Sequence, residues 1–215
     1  MGVSLAVGNV VLTAEQFNPT IISQIWLARI GLVPEDGFRD GCIFSPHVAQ
    51  VRTREFELLV IPQLAQFVPS VEQGQQQRVI VDKLGLLVER LPETPYRALG
   101  FNITWHLQPE KSSIEEFTRR LFRVPDGPVH KFFDDTKDRF GSYLSKDSLG
   151  FRLKLMALPV VVPSPEQQRH LVAFNFNYHF DISDQGDSVT SIVSMLPRWD
   201  EAVAESSQIV QAAGS

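Results

Sequence analysis

Two stretches of this chain, Phe101-Asn102-Ile103-Thr104-Trp105-His106-Leu107 and Phe174-Asn175-Phe176-Asn177-Tyr178-His179-Phe180, carry almost the same chemistry in the same order. Each alternates apolar and polar residues with period two. A chain can segregate that pattern only as an extended strand, because successive side chains of a strand point to opposite faces. One face of each strand is then apolar, with Phe101, Ile103, Trp105 and Leu107 in the first and Phe174, Phe176, Tyr178 and Phe180 in the second. The opposite faces carry Asn102, Thr104 and His106, and Asn175, Asn177, His179 and Asp181. Two strands of one type call for two equivalent places in an antiparallel sheet, or for two related halves of the chain, dividing near 1–122 and 123–215.

The rest of the chain supplies partners for these strands. Ser4 to Thr13 reads as an opening strand. A helix is expected from Pro19 to about Ile30, with Asn18 as N-cap, Pro19 at its first position and Gly31 as its stop. Short strands at Cys42–Phe44, Val48–Thr53, Phe56–Ile61 and Leu64–Val68 are punctuated by Pro46, Arg54-Glu55 and Pro62. Such short connections make antiparallel meanders. A second helix is expected from about Val71 to Leu91. Ser112 and Ser113 each precede a Glu by three places, a doubled capping-box signal for a helix reaching Phe122. Residues 123–149 read as a loop with a short helix after Pro128, and the aromatics there (Phe132, Phe133, Phe140, Tyr143) predict that it packs. Strands follow at Phe151–Val162 and about His170–Ile182, then a helix from Ser188 to Gln211 broken at Pro197. This order predicts a single α+β domain over 1–215, a largely antiparallel sheet with helices on one face.

Composition limits what the chain can do. Its formal charge of −5 does not favour nucleic acid as a partner. The single cysteine, Cys42, permits no intrachain disulfide and no four-thiolate zinc site, which fits a reducing cytoplasm. Within Cys42-Ile43-Phe44 it reads as a small core hydrophobe. No basic segment opens the chain as a secretory signal would, and no apolar run is long enough to span a membrane.

Three groups of side chains invite a chemical reading. If the repeat strands are neighbours, His106 and His179 could approach each other beside Asn102, Asn175, Asn177 and Asp181, with His170 as a possible addition. Imidazole with carboxylate suits zinc or iron, although a metal site needs three or four converging ligands. The plainer account is the wet side of a one-sided antiparallel sheet. The acidic turn with Asp181, Asp184 and Asp187 lacks the calcium-loop spacing and its distal Glu, and helix capping explains Asp187 or Ser188. His130, Asp134, Asp135 and Asp138 alternate with Lys131, Lys137 and Arg139; on a helix Asp134 and Asp138 would share a face, but alternating signs mark a solvated surface. Gly-x-Ser-x-Gly, phosphate-loop and His-Glu-x-x-His motifs are all absent from the sequence. No cofactor and no catalytic residue is indicated.

The opening strand, the Gly-Phe-Asn-Ile-Thr-Trp-His strand, the later Phe-Asn-Phe-Asn-Tyr-His-Phe-Asp strand and the closing helix together resemble a sporadically distributed family of uncharacterised bacterial α+β proteins. The resemblance implies a place in mobile or antiviral-defence loci and carries no functional residue. The function expected from the sequence is a non-enzymatic binding or assembly subunit, self-associating or docked on a protein partner. Its contact residues would be Asn102, Thr104, His106, Asn175, Asn177, His179 and Asp181. The alternatives are a metal-dependent hydrolase or nuclease using the His and Asp residues of that face, and a small-ligand or nucleotide sensor.

Overall fold

The computed structural model describes residues 2–110, 112–163, 168–182 and 187–215. Nine strands form one antiparallel sheet: β1 Gly2–Ala14, β2 Ile43–Phe44, β3 Ala49–Arg52, β4 Phe56–Ile61, β5 Leu64–Pro69, β6 Tyr96–Gln108, β7 Ser142–Ser148, β8 Phe151–Val162 and β9 Arg169–Asp181. Their spatial order is β2-β3-β4-β5-β1-β6-β9-β8-β7. The helices are α1 Gln24–Arg29, α2 Gln73–Val79, α3 Gly85–Glu89, α4 Ile114–Phe122, α5 Ser188–Met195 and α6 Trp199–Gly214. A π turn, Ile80–Leu84, joins α2 to α3 without a break. The repeat strands β6 and β9 are antiparallel neighbours, so the recurrence marks two adjacent inner places of one sheet.

Local sequence explains most boundaries. Asn18 accepts a hydrogen bond from the Thr20 backbone N–H, but the turn it caps is only the 3-10 segment Pro19–Ile21. The chain extends at Ile22, and Ser23 caps α1 afresh through the Trp26 N–H. The single helix expected over 19–30 is therefore two pieces. Gly31 ends the second with φ of +76°, a conformation open to glycine at little cost. Ser113 and Glu116 complete the capping box of α4. Pro197 divides α5 from α6 through the 3-10 turn Leu196–Arg198.

The helices pack on one face of the sheet, where Phe101, Ile103, Trp105, Leu107, Phe174, Phe176 and Tyr178 are buried. Three polar contacts fix α6 there. The Trp105 indole N–H donates to Ser206 Oγ at 2.8 Å, the Trp199 N–H to Gln76 Oε1 at 3.2 Å, and Tyr178 Oη to Glu205 Oε2 at 3.0 Å. Trp199 is fully buried, edge-on to Phe101, and a Cβ on Gly8 would lie 3.2 Å from its ring. Glycine at position 8 lets β1 approach that closely. Glu205 also accepts from Ser148 Oγ at 2.8 and 2.9 Å and pairs with Lys146, tying α6 to β7 as well as β9.

Two expectations fail in the second half of the chain. The segment read as a loop through 149 contains the strand β7. Of its four aromatics only Phe140 is buried, whereas Phe132, Phe133 and Tyr143 are exposed, so most of this stretch does not pack. Cys42 lies just outside β2 and is half-exposed, its sulfur against the Arg39 carbonyl and the Arg52 N–H, each at 3.2 Å; it is not a core residue. Among the described residues no helix is long and apolar enough to cross a membrane.

Ser206→Ala leaves the buried Trp105 N–H without its partner and should cost about 1–3 kcal/mol in urea unfolding. The Glu205 carboxyl is pushed up by burial, but hydrogen bonds from Lys146, Ser148 and Tyr178 outweigh this and hold it below the ordinary value of 4.5. A depressed native value means that the stabilisation is complete above 4.5 and is lost as pH falls through the native value. The stability difference between the native chain and Glu205→Gln should therefore hold constant from neutral pH down to about pH 5 and shrink below it; a difference that grows with acid would contradict the assignment.

Candidate functional site

The alternation that buries the aromatics sends Asn102, Thr104, His106, Asn175, Asn177 and His179 to the opposite face, where each is half-exposed, with Asp181 fully exposed at its margin. Register then decides which of them meet. Asn102 lies opposite Asn177, and Thr104 opposite Asn175. Asn177 Nδ2 donates to Asn102 Oδ1 at 2.8 Å, and Asn102 Nδ2 donates to Asn9 Oδ1 at 3.0 Å. An amide ladder thus crosses β9, β6 and β1, and Lys154 of β8 continues the row beside Asn177. One step along, Thr104 Oγ1 donates to Asn175 Oδ1 at 2.9 Å, and Asn175 Nδ2 reaches the Met156 carbonyl at 3.4 Å.

Asn9 is the member that the repeat does not reveal. It is only 6% exposed despite facing away from the helices. The signal lies in the alternation of β1, where Gly8, Val10 and Leu12 turn inward and Asn9, Val11 and Thr13 outward.

The two histidines do not come together. The antiparallel register sets His106 opposite Ala173 and His179 opposite Gly100, so six residues of β6 separate them. At about 3.4 Å per residue that is roughly 20 Å. His179 instead lies 2.9 Å from Asp181 on its own strand and opposite Arg152 of β8. His106 is held below its ordinary value of 6.5 by partial burial and by the nearby charge of Arg169, so it is the neutral imidazole at neutral pH. His170, the suggested addition, falls on the other parity of β9 and is exposed. It lines a polar cleft of about 410 Å³ with Gln108, Ser113, Glu115, Arg139 and Arg169, in which Arg139 and Glu115 pair at 2.8 Å.

The other clusters resolve into local structure. Asp187 caps α5 by accepting from the Val189 N–H and the Thr190 hydroxyl. Asp184 lies outside the described residues. Asp134, Asp135 and Asp138 lie in a non-helical turn, so the expected shared helix face does not form; Asp138 accepts from the Asp135 N–H at 2.9 Å, and Asp135 from the Lys137 N–H at 2.8 Å. The His130 ring accepts from the Val124 N–H at 2.7 Å and sits edge-on to Phe140. Among the described residues no three His, Cys, Asp or Glu side chains converge as a metal site would require.

The open face also bears apolar side chains. Val7, Thr104, Asn175, Met156 and Tyr143 form one cross-strand row over β1, β6, β9, β8 and β7. Val7, Met156 and Tyr143 are 45%, 43% and 62% exposed, with Leu158 at 39% beside them. The face therefore combines a hydrogen-bonded amide centre with flanking apolar surface. Comparison of the chain with protein-family models, curated proteins and solved structures finds no match.

His106 should titrate below 6.5 when followed by its ring-proton chemical shift. In Arg169→Gln the midpoint should rise but stay below 6.5, because burial, the larger cause, persists. An unchanged midpoint would remove Arg169 from the environment of His106.

Proposed function

We propose that this chain is a non-enzymatic binding subunit of a bacterial protein assembly, presenting the open face of its sheet to a protein partner. The observation that carries this reading is the row from Val7 to Tyr143, in which a Thr104–Asn175 hydrogen bond is flanked by exposed apolar side chains. Protein contacts favour that mixture: Met and Tyr for area, and fixed amides for orientation. The contact residues are Asn102, Thr104, His106, Asn175, Asn177, His179 and Asp181, joined by Met156 and Val7. The bacterial setting and the link to antiviral defence come from the resemblance of the repeat strands alone.

A hydrolase built on His106 and His179 together is disfavoured by their separation along β6. A small-ligand reading has one observation in its favour, the cleft beside His170, Arg139 and Arg169. Ligand binding to the folded state must stabilise it. No thermal shift with millimolar nucleoside mono- or triphosphates would end that reading.

The binding reading is tested with the double variant Asn175→Arg/Asn177→Arg and, as control, Arg198→Glu/Glu201→Arg on the helix layer, whose two side chains are about half exposed. Affinity capture of the full chain from the cells that make it should recover the same stoichiometric partner with the native protein and the control. The sheet-face variant should lose it while keeping its cooperative unfolding. Equal recovery by all three would sink the assignment.

A further inference from the structure

The sheet ends in β2 on one side and β7 on the other, and the two edges differ in kind. β2 has two residues and leads into a Ser45-Pro46 turn, and a very short strand offers little template for pairing. β7 runs over seven residues without proline and pairs with β8 in unbroken register. Tyr143 and Leu144 stand on its two faces, 62% and 58% exposed. Edge strands of this length are ordinarily guarded by charged side chains, by proline or by a bulge. The charges of β7 are already paired within the chain, Lys146 with Glu205 and Asp147 with Arg152 at 3.0 Å. With both charges drawn to partners of their own chain, and neither proline nor bulge in the strand, the outer row of backbone donors and acceptors on β7 is only lightly guarded.

We infer that β7 pairs antiparallel with β7 of a second copy of this chain, joining the two sheets into one. The twofold axis stands normal to the sheet at Ser145. Such an axis keeps the helices of both copies on one side and makes their open faces continuous. It also requires residues of like face to lie opposite one another. Centred on Ser145, Ser142 meets Ser148 of the second copy, Tyr143 meets Asp147, Leu144 meets Lys146, and Ser145 meets itself. This register pairs the whole strand, with small residues across from small ones and no like charges opposed. Moving the axis to Lys146 or Asp147 would set Lys on Lys or Asp on Asp. The dimer uses the sheet edge and does not rest on the partner proposed for the open face.

Sedimentation velocity and native mass spectrometry of the full chain test the inference. The native protein is expected at twice its 24.2 kDa mass at tens of micromolar. Leu144→Lys opposes a lysine to Lys146 of the other copy at two symmetric places, whereas Leu144→Glu opposes a carboxylate. Both place a charge at the same exposed position, yet only the Lys variant should dissociate, with a Kd at least about tenfold weaker than that of the Glu variant. Independently of any variant, amides of 142–148 should exchange more slowly at high protein concentration than at low. A native chain that stays monomeric to about 100 µM, equal behaviour of the two variants, or concentration-independent exchange in β7 would each overturn it.

Discussion

Everything in this fold follows from the way α6 is seated on β6 and β9. Three large aromatic side chains, Trp105, Trp199 and Tyr178, lie at that junction, and each has one polar atom to satisfy in a dry environment. Ser206, Gln76 and Glu205 supply the partners. Leaving any of these groups unpaired costs more than an ordinary hydrogen bond contributes, so the helix is held in one rotation and one translation. A one-residue slip of β6 would bring Asn102, Thr104 and His106 to the helices and send the aromatics to water. The polar face is in that sense a by-product of the aromatic one: once α6 fixes which side is dry, the residues between the aromatics have only the other side.

The faces of β6 and β9 were readable because burial on one side imposes strict alternation, and alternation is a local signal. The capping box of Ser113 and Glu116, the stop at Gly31 and the break at Pro197 were readable for the same reason, since each acts within one turn of chain. Register is a different kind of information. A period-two pattern assigns side chains to faces, but it does not say which residue of one strand lies across from which residue of another, and the pairing of His106 with His179 failed on that point. Antiparallel neighbours with matching sequences oppose their two ends, so Ile103 meets its counterpart Phe176, and the residues on either side exchange theirs, Asn102 lying opposite Asn177 and Thr104 opposite Asn175.

β7 escaped for a related reason. Ser-Tyr-Leu-Ser-Lys-Asp-Ser has no alternation because neither face of this edge strand is buried over most of its length. Its strand character comes from the ladder with β8 and from the Lys146–Glu205 pair, both of them contacts distant in sequence. The exposed Phe132 and Phe133 escaped because aromatic content speaks for burial only where a periodic element presents it to a core. In a non-repetitive segment the same residues carry no such direction.

The amide ladder also shapes what can dock on the open face. An Asn side chain offers two N–H donors and two carbonyl lone pairs. In the ladder Asn102 gives one donor to Asn9 and takes one from Asn177, which uses half of that capacity internally. The internal bonds fix the orientation of the amide and so decide whether its remaining donor and acceptor point along or away from the sheet. A partner that covers this row with apolar surface would strip water from those groups without replacing it, at a cost of about 1–3 kcal/mol for each group left unpaired. A partner with complementary polar groups avoids that cost and still gains from Val7, Met156 and Leu158. The discrimination arises in the middle of the face and the affinity at its shoulders, and the rigidity needed for both comes from the helix layer behind.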